Sequence, residues 1–288
     1  MSRIIRPRNI TELTECIKVT SPTDRHFLAG GTDWLIKYHE KLPEDAAVID
    51  LSLLRELRGT GTAEGSLLVG AMETMSSINS NNAVRSFASA LADAASVIGS
   101  TQIRNRATVG GNLANSSPAA DTPSALAALE AEVIVLSPDG ERFATVEDIL
   151  SAPNENTLSE DEIIKGFRIP VKENRVSAFK KIGSRTEVSI ARLNMAASVR
   201  CVGGQFSTPL VYVGTLGLAA KRCINAEDAL ALAPEKRHDA LLSALASFVE
   251  ETIPGRATLP YKKSTIQALG EDVLAMLEER AAKGGASA

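Results

Sequence analysis

Apolar positions recur at helical spacing in some segments and as short unbroken runs in others. In NITELTECIKVT, Ile10, Leu13 and Ile17 share one helical face. Between residues 82 and 98, Val84, Phe87, Leu91, Ala94 or Ala95, and Ile98 step by three and four, which predicts one amphipathic helix. DTPSALAALEA predicts another, with Thr122 as N-cap and Pro123 at the first helical position. HDALLSALASFVEE predicts a helix toward the C-terminus. The short runs RHFL, AAVIDLS and IIKGFRIP predict strands. GTGTAEGSLLVGAME predicts a hairpin turning at Glu64-Gly65, with Leu67 to Ala71 as the return strand. EVIVLSPDGERF predicts a second hairpin around Pro-Asp-Gly. Residues 151 to 162 are polar and loop-like, and VKENRVS predicts a boundary. Beyond it, AFKKIGSR and LNMAASVRCVGGQFSTPLVYVGTLG predict strands followed by helices, and AAKGGASA a frayed tail. Strands and helices alternate without a regular βαβ rhythm, so the predicted class is α+β.

Two glycine loops interrupt this pattern. LAGGTDWLIK follows the first strand, and TVGGNLANSSPAADT follows the 82–98 segment. Glycine lets backbone N–H groups turn toward a ligand, and consecutive N–H groups form an anion nest. Gly30-Gly31-Thr32 and Gly110-Gly111-Asn112 could thus offer amides to a phosphate from two sides. Neither loop is GxGxxG or GxxxxGK[ST]. Each Gly-Gly also suits a plain tight turn. Asp33 suits a cap of the helix WLIKYHE, and Asp121 a cap, through its carboxylate, of the helix at Pro123.

Composition narrows the classes. The 288-residue chain is 44% hydrophobic and 23% charged, enough for a packed core in one large or two smaller domains. A net charge of −4 with scattered basic residues and 4% aromatics argues against nucleic acid as partner. Cys16, Cys201 and Cys223 form no CxxC, which argues against a metal or iron–sulfur site in this chain and suits a reducing compartment. The N-terminus lacks a signal-peptide core and no run has transmembrane length, so the expected location is cytoplasmic, away from the membrane. His26, His39 and His238 follow no ligand spacing. Trp34 reads as a packing residue, and Arg104 and Arg106 as surface or interface charges.

The motifs LAGGTDWLI and STQIRNRATVGGNLANSSPAADTPSALAAL, with DEIIKGFRIP and FKKIGSRTEVSIARLNMAASV in the same order, closely resemble the FAD-binding (medium) subunit of the molybdenum hydroxylase family, which includes xanthine dehydrogenases and carbon monoxide dehydrogenases. The resemblance runs from Arg6 to about Glu279. It implies a two-lobed FAD-binding domain of the vanillyl-alcohol-oxidase/MurB type over 1–173, with lobes of about 1–57 and 58–173. It also implies a small C-terminal α+β domain over 177–283, followed by a flexible tail at 284–288.

The same resemblance implies non-covalent FAD between the lobes. Leu28, Ala29, Gly30, Gly31, Thr32, Asp33 and Leu35 would lie along the diphosphate, with Thr108, Gly110, Gly111 and Asn112 as the second wall. Asp121 would sit on the ribose or adenosine side, Ile98 at the flavin ring and Ile164 at an apolar contact. Either Lys180 or Lys181 would contact the flavin. No catalytic acid or base and no metal ligand is implied. The chain would be an electron-transfer subunit, an oxidoreductase component. A [2Fe–2S] small subunit would pass it electrons from a molybdopterin-binding large subunit, and NAD or another acceptor would receive them. The assembly implied is a dimer of heterotrimers. The alternatives are a stand-alone flavin-dependent oxidase or reductase, and a structural subunit without flavin. The chain departs from many relatives in reading Ser100-Thr101 before QIRN, and it lacks the cysteine-bearing insertion of some benzoyl-CoA-reducing relatives.

Overall fold

The computed structural model describes residues 3–38, 42–185 and 188–284. His39, Thr186 and Glu187 of the motifs above, and residues 285–288 of the tail, lie outside the described residues.

The chain opens with a small parallel sheet. Strand β1 (Arg3–Ile5) leads to helix α1 (Ile10–Val19), β2 (Arg25–Leu28), the short helix α2 (Trp34–Tyr38) and β3 (Ala47–Asp50). The order is β1-β3-β2, with the fully buried β3 in the middle. Asn9 caps α1 by accepting from the Glu12 amide, and Leu13 and Ile17 turn inward. They pack with Ile49, Leu51, Leu54 and Leu57.

A second, antiparallel sheet follows. The hairpin β4 (Thr60–Ala63) and β5 (Ser66–Gly70) turns at Glu64 and Gly65, both with positive φ as a tight two-residue hairpin turn requires. Helices α3 (Met75–Ser80), α4 (Asn82–Phe87), α5 (Ser89–Ser96), α6 (Thr101–Arg104), α7 (Val109–Ala114) and α8 (Thr122–Ala128) come next. Then come β6 (Glu132–Ser137), β7 (Gly140–Thr145), α9 (Val146–Ile149), the small pair β8 (Leu150–Ala152) and β9 (Glu155–Asn156), and β10 (Ile163–Pro170). The sheet order β4-β5-β10-β6-β7 places β10 at its centre.

The last part is the antiparallel sheet β11 (Arg175–Gly183), β12 (Ala191–Val202), β13 (Gln205–Gly214) and β14 (Lys221–Arg222), in that order. Helices α10 (Ile224–Leu230), α11 (Pro234–Thr252) and α12 (Leu259–Gly284) cover one face. The other face meets the preceding part: Phe179 and Ala196 join the core of α5 and α8, while Ala178, Leu193 and Met195 face the helices. The unbroken burial of Leu193 to Val199 on β12 is thus that of a strand with apolar contacts on both faces of its sheet. Every residue of α8 is buried, and its small side chains let it lie close against β12 and β13.

The single helix expected over 82–98 is instead two, broken at Ala88 (φ −141°, ψ 48°). The break has a cause in packing. Ser89 Oγ donates to the Ser177 carbonyl and the Ala90 amide donates to Ser177 Oγ, which pulls the chain onto β11. Ile98 lies beyond α5, packed against the core. The second glycine motif is helix α7, with Thr108 as its N-cap.

Candidate functional site

The two glycine segments meet. A Cβ on Gly30 would lie 2.1 Å from the Arg106 carbonyl oxygen, and one on Gly110 would lie 2.5 Å from the Ala71 Cβ. These glycines are there because backbone runs against backbone. Gly31 has φ +79°, the left-handed region that side chains disfavour, and its neighbours are the Leu28 and Leu35 side chains. Gly111 faces the gap between the segments: a Cβ there would be 2.8 Å from Thr108 Oγ1 and 3.4 Å from the Ala29 Cβ.

The two segments differ in what they offer. Among the described residues, the amides of Gly30, Gly31, Thr32 and Asp33 donate to no backbone or side-chain acceptor. They are a concentrated set of free donors at the end of β2. In the second segment the amides are engaged. Val109 N donates to Glu73 O, Gly110 N to Ala71 O, Gly111 N to Thr108 Oγ1 and Asn112 N to Thr108 O. The amides expected to form a nest there are used instead: those of Val109 and Gly110 tie α7 to residues 71–73, and those of Gly111 and Asn112 close its first turn on Thr108. The polar group left is the Asn112 side chain, whose Oδ1 accepts from Thr122 Oγ1 at 2.6 Å, leaving its amide nitrogen to donate.

Between the segments lies a cavity of about 510 Å³. Ala29, Gly30, Gly31, Thr32, Asp33, Thr108, Gly110, Gly111, Asn112 and Ile164 all line it. Leu28 and Leu35 stand behind Gly31. Its outer wall was missed from sequence. His26, Trp34 and Tyr38 form a ring cluster with centroids 4.9 to 6.4 Å apart. All three line the cavity. Burial and the Lys37 ammonium push the His26 imidazole below its ordinary value, so it is neutral at pH 7, and its Nε2 is buried with no partner. Trp34, read as packing, faces the cavity because α2 begins directly after the free amides.

Ile98, Asp121, Lys180 and Lys181 lie outside that lining. Lys180 is exposed, with Asp272 at 3.6 Å. Lys181 turns inward: its Nζ is 2.6 Å from Asp121 Oδ2 and also donates to Ser189 O at 3.1 Å. Asp121 occupies the N-cap position of α8 but makes no capping bond, and Thr122 lies within the helix. The carboxylate is used for the ion pair instead, since a buried ammonium needs a partner more than a helix end does. Burial pushes the Asp121 carboxyl upward, and Lys181 and Asn194 offset only part of that. Asn194 donates to Asp121 Oδ1 at 3.3 Å and accepts from Ser124 Oγ at 3.0 Å. Asn194 was also missed; a lone amide in the apolar strand LNMAASV signals a buried polar network. Thr122, next in the chain to Asp121, donates to Asn112 Oδ1 in the wall of the cavity.

Among the described residues no helix is long and apolar enough to cross a membrane, and no group of three or more His, Cys, Asp or Glu residues is placed to hold a metal ion.

Comparison with known proteins places this arrangement. The family of the FAD binding domain in molybdopterin dehydrogenase matches residues 1–172. The chain is 32% identical over 264 residues to a xanthine dehydrogenase FAD-binding subunit of Escherichia coli O157:H7, covering 90% of each. It is 30% identical over 283 residues to a nicotinate dehydrogenase FAD-subunit of Eubacterium barkeri, covering 94% of this chain and 96% of that one. Among solved structures it is similar to a chain of the carbon monoxide dehydrogenase of Hydrogenophaga pseudoflava. The TM-score is 0.84 at 25% identity, over 96% of this chain and 97% of that chain.

Proposed function

The chain belongs to the family of FAD-binding domains of molybdopterin dehydrogenases, and on that premise we propose that it is the flavin-carrying electron-transfer subunit of a molybdenum-hydroxylase-type complex. The observation that carries this reading is the set of free amides at Gly30 to Asp33, facing Asn112 across a cavity with an aromatic outer wall. A pyrophosphate needs several fixed donors, and a flat base needs an apolar face; the residues present fit a dinucleotide.

In this reading the first segment holds the pyrophosphate through its amides and the Thr32 hydroxyl, and Asn112 Nδ2 closes on it. Leu28, Leu35 and Ile164 supply apolar contact. Ile98 and Lys181 belong to the flavin-ring side, with Lys181 rather than the exposed Lys180 as the nearby cation; Asp121, expected on the ribose or adenosine side, is assigned to the same side as Lys181 because the two form a buried ion pair. FAD when bound supplies the capacity to take up and release electrons one or two at a time. The Lys181 ammonium favours negative charge beside it, which supports the reduced form. The chain itself supplies no acid or base in this scheme.

The finer parts rest on the likeness to relatives that are subunits of dehydrogenases. By that likeness a small subunit with [2Fe–2S] clusters would supply the electrons, and a large subunit bearing the molybdenum cofactor would be their source. NAD or another acceptor would receive them, in a cytoplasmic dimer of heterotrimers. The domain division at about residue 173, and the vanillyl-alcohol-oxidase/MurB-type lobes, belong to the same proposal; the family match over 1–172 and the separate apolar cores support it.

Dinucleotide specificity tests the assignment. Flavin-depleted chain should take up FAD one to one and reject FMN and riboflavin, because the amides and the aromatic wall address the part of FAD that those compounds lack. Equal uptake of FMN would remove the role given to Gly30–Asp33, and organic-substrate turnover by the isolated chain would favour a stand-alone enzyme.

A further inference from the structure

A second cavity, of about 520 Å³, shares no lining residue with the first. Its walls come from three places. Pro118, Ala119 and Pro153 form one side; Ala191 and Arg192 open β12, and Thr215, Gly217 and Leu218 follow β13; Arg256 and Thr258 precede α12, and Tyr261 and Lys262 lie in its first turn. Three cations converge and no carboxylate lines the space.

Those cations have no acidic partner among the described residues. Among the described residues, every ion pair within 4.0 Å leaves out Arg192, Arg256 and Lys262. Lys262 is half-buried, and its Nζ donates to the Thr215 carbonyl at 2.5 Å. Burial and the like charge of Arg256 both push the Lys262 amine below its ordinary value, so two cations repel across this space. The Arg192 guanidinium stands 5.9 Å from the centre of the half-exposed Tyr261 ring. Prolines, Ala119, Ala191 and Leu218 complete an apolar floor. A site with uncompensated positive charge over an apolar, ring-bearing floor is complementary to a flat anion.

We propose that this cavity is a second ligand site, for a small planar-ring molecule carrying a carboxylate or a phosphate. Its ring lies against Tyr261 and Leu218, and its anionic group engages Arg192, Arg256 and Lys262. The site borders the Asp121–Lys181 pair. Ala119 is two residues before Asp121, and Asn194, which donates to Asp121, follows Arg192 by two on β12. If that pair sits beside the flavin ring, as proposed above, an occupant would lie next to the redox centre, but the binding itself does not depend on that reading.

The test is calorimetric titration of the full chain, with whatever flavin it carries, against benzoate, phenyl phosphate and uncharged benzamide. Flavin content is measured separately by visible absorbance, so failure of the cofactor assignment is seen independently. Benzoate or phenyl phosphate should bind saturably with Kd at or below about 1 mM, and whichever binds tighter identifies the anionic group. Benzamide should bind at least roughly tenfold more weakly, and Arg256→Gln and Arg192→Gln, both at exposed positions that leave the fold intact, should each weaken the anion by roughly tenfold. No saturable binding of either anion, benzamide binding as well as benzoate, or unchanged affinity in both variants would overturn the proposal.

Discussion

Replacing Lys181 with methionine tests how the inner network is held together. The Asp121–Lys181 contact is 2.6 Å between side chains only 6% and 10% exposed. At an effective dielectric of about 20 such a pair attracts by roughly 6 kcal/mol, and desolvation of the two ions offsets most of this. The intact pair therefore adds little net stability, but a lone survivor is costly. Lys181→Met keeps the stem volume and leaves a buried carboxylate with Asn194 as its one remaining side-chain donor. The expected loss is about 3 to 5 kcal/mol at pH 7. Because burial already pushes the Asp121 carboxyl upward, the variant can shed part of this loss by protonating it. A raised folded-state pKa penalises stability above that pKa, and the penalty fades as pH falls through it. The deficit of Lys181→Met should thus shrink from pH 8 to pH 5. The double variant Asp121→Asn/Lys181→Met should recover much of the loss at every pH. Urea unfolding followed by circular dichroism reads all three proteins. A Lys181→Met loss below about 1 kcal/mol, or a double variant no better than the single, would refute a buried and charged pair.

Three further outcomes follow from the same structure. Gly30→Ala should cost about 3 kcal/mol in urea unfolding, since its Cβ would meet the Arg106 carbonyl oxygen at 2.1 Å, whereas Gly65→Ala, at a turn with open space around it, should cost about 1 kcal/mol. Trp34 is the sole tryptophan and lines the first cavity, so its fluorescence should change on titration of flavin-free chain with ADP and stay flat with riboflavin; a flat ADP titration would move the nucleotide elsewhere. Burial pushes the Cys223 thiol up to about 11, so at pH 8 it should resist a thiol reagent that labels Cys16, and react only on unfolding.

Local patterns carried much of the fold. The Ile10–Leu13–Ile17 face, the Glu64-Gly65 turn and the strand at Ile163–Pro170 need only neighbouring residues to be specified, and all three stand where the spacing put them. The break at Ala88 could not be read from periodicity, because it depends on Ser177, 88 residues beyond Ser89. The same holds in the site. Gly-Gly pairs mark places where backbone comes close, but whether their amides are free depends on the fold around them: in the second segment Ala71 takes the Gly110 amide and Thr108, at the start of α7, takes those of Gly111 and Asn112, whereas among the described residues nothing takes those of the first. Asp121 before Pro123 reads locally as a helix cap. Its partner Lys181 is 60 residues away, and only the packing of β11 against α8 decides between capping and pairing.

The most direct test of the central claim is the visible absorption spectrum of the chain purified alone, followed by acid precipitation. The account predicts flavin bands at about one FAD per chain that pass into the supernatant. A colourless chain that takes up no added FAD, or a yellow pellet with a clear supernatant, would contradict a non-covalent FAD site between the two glycine segments.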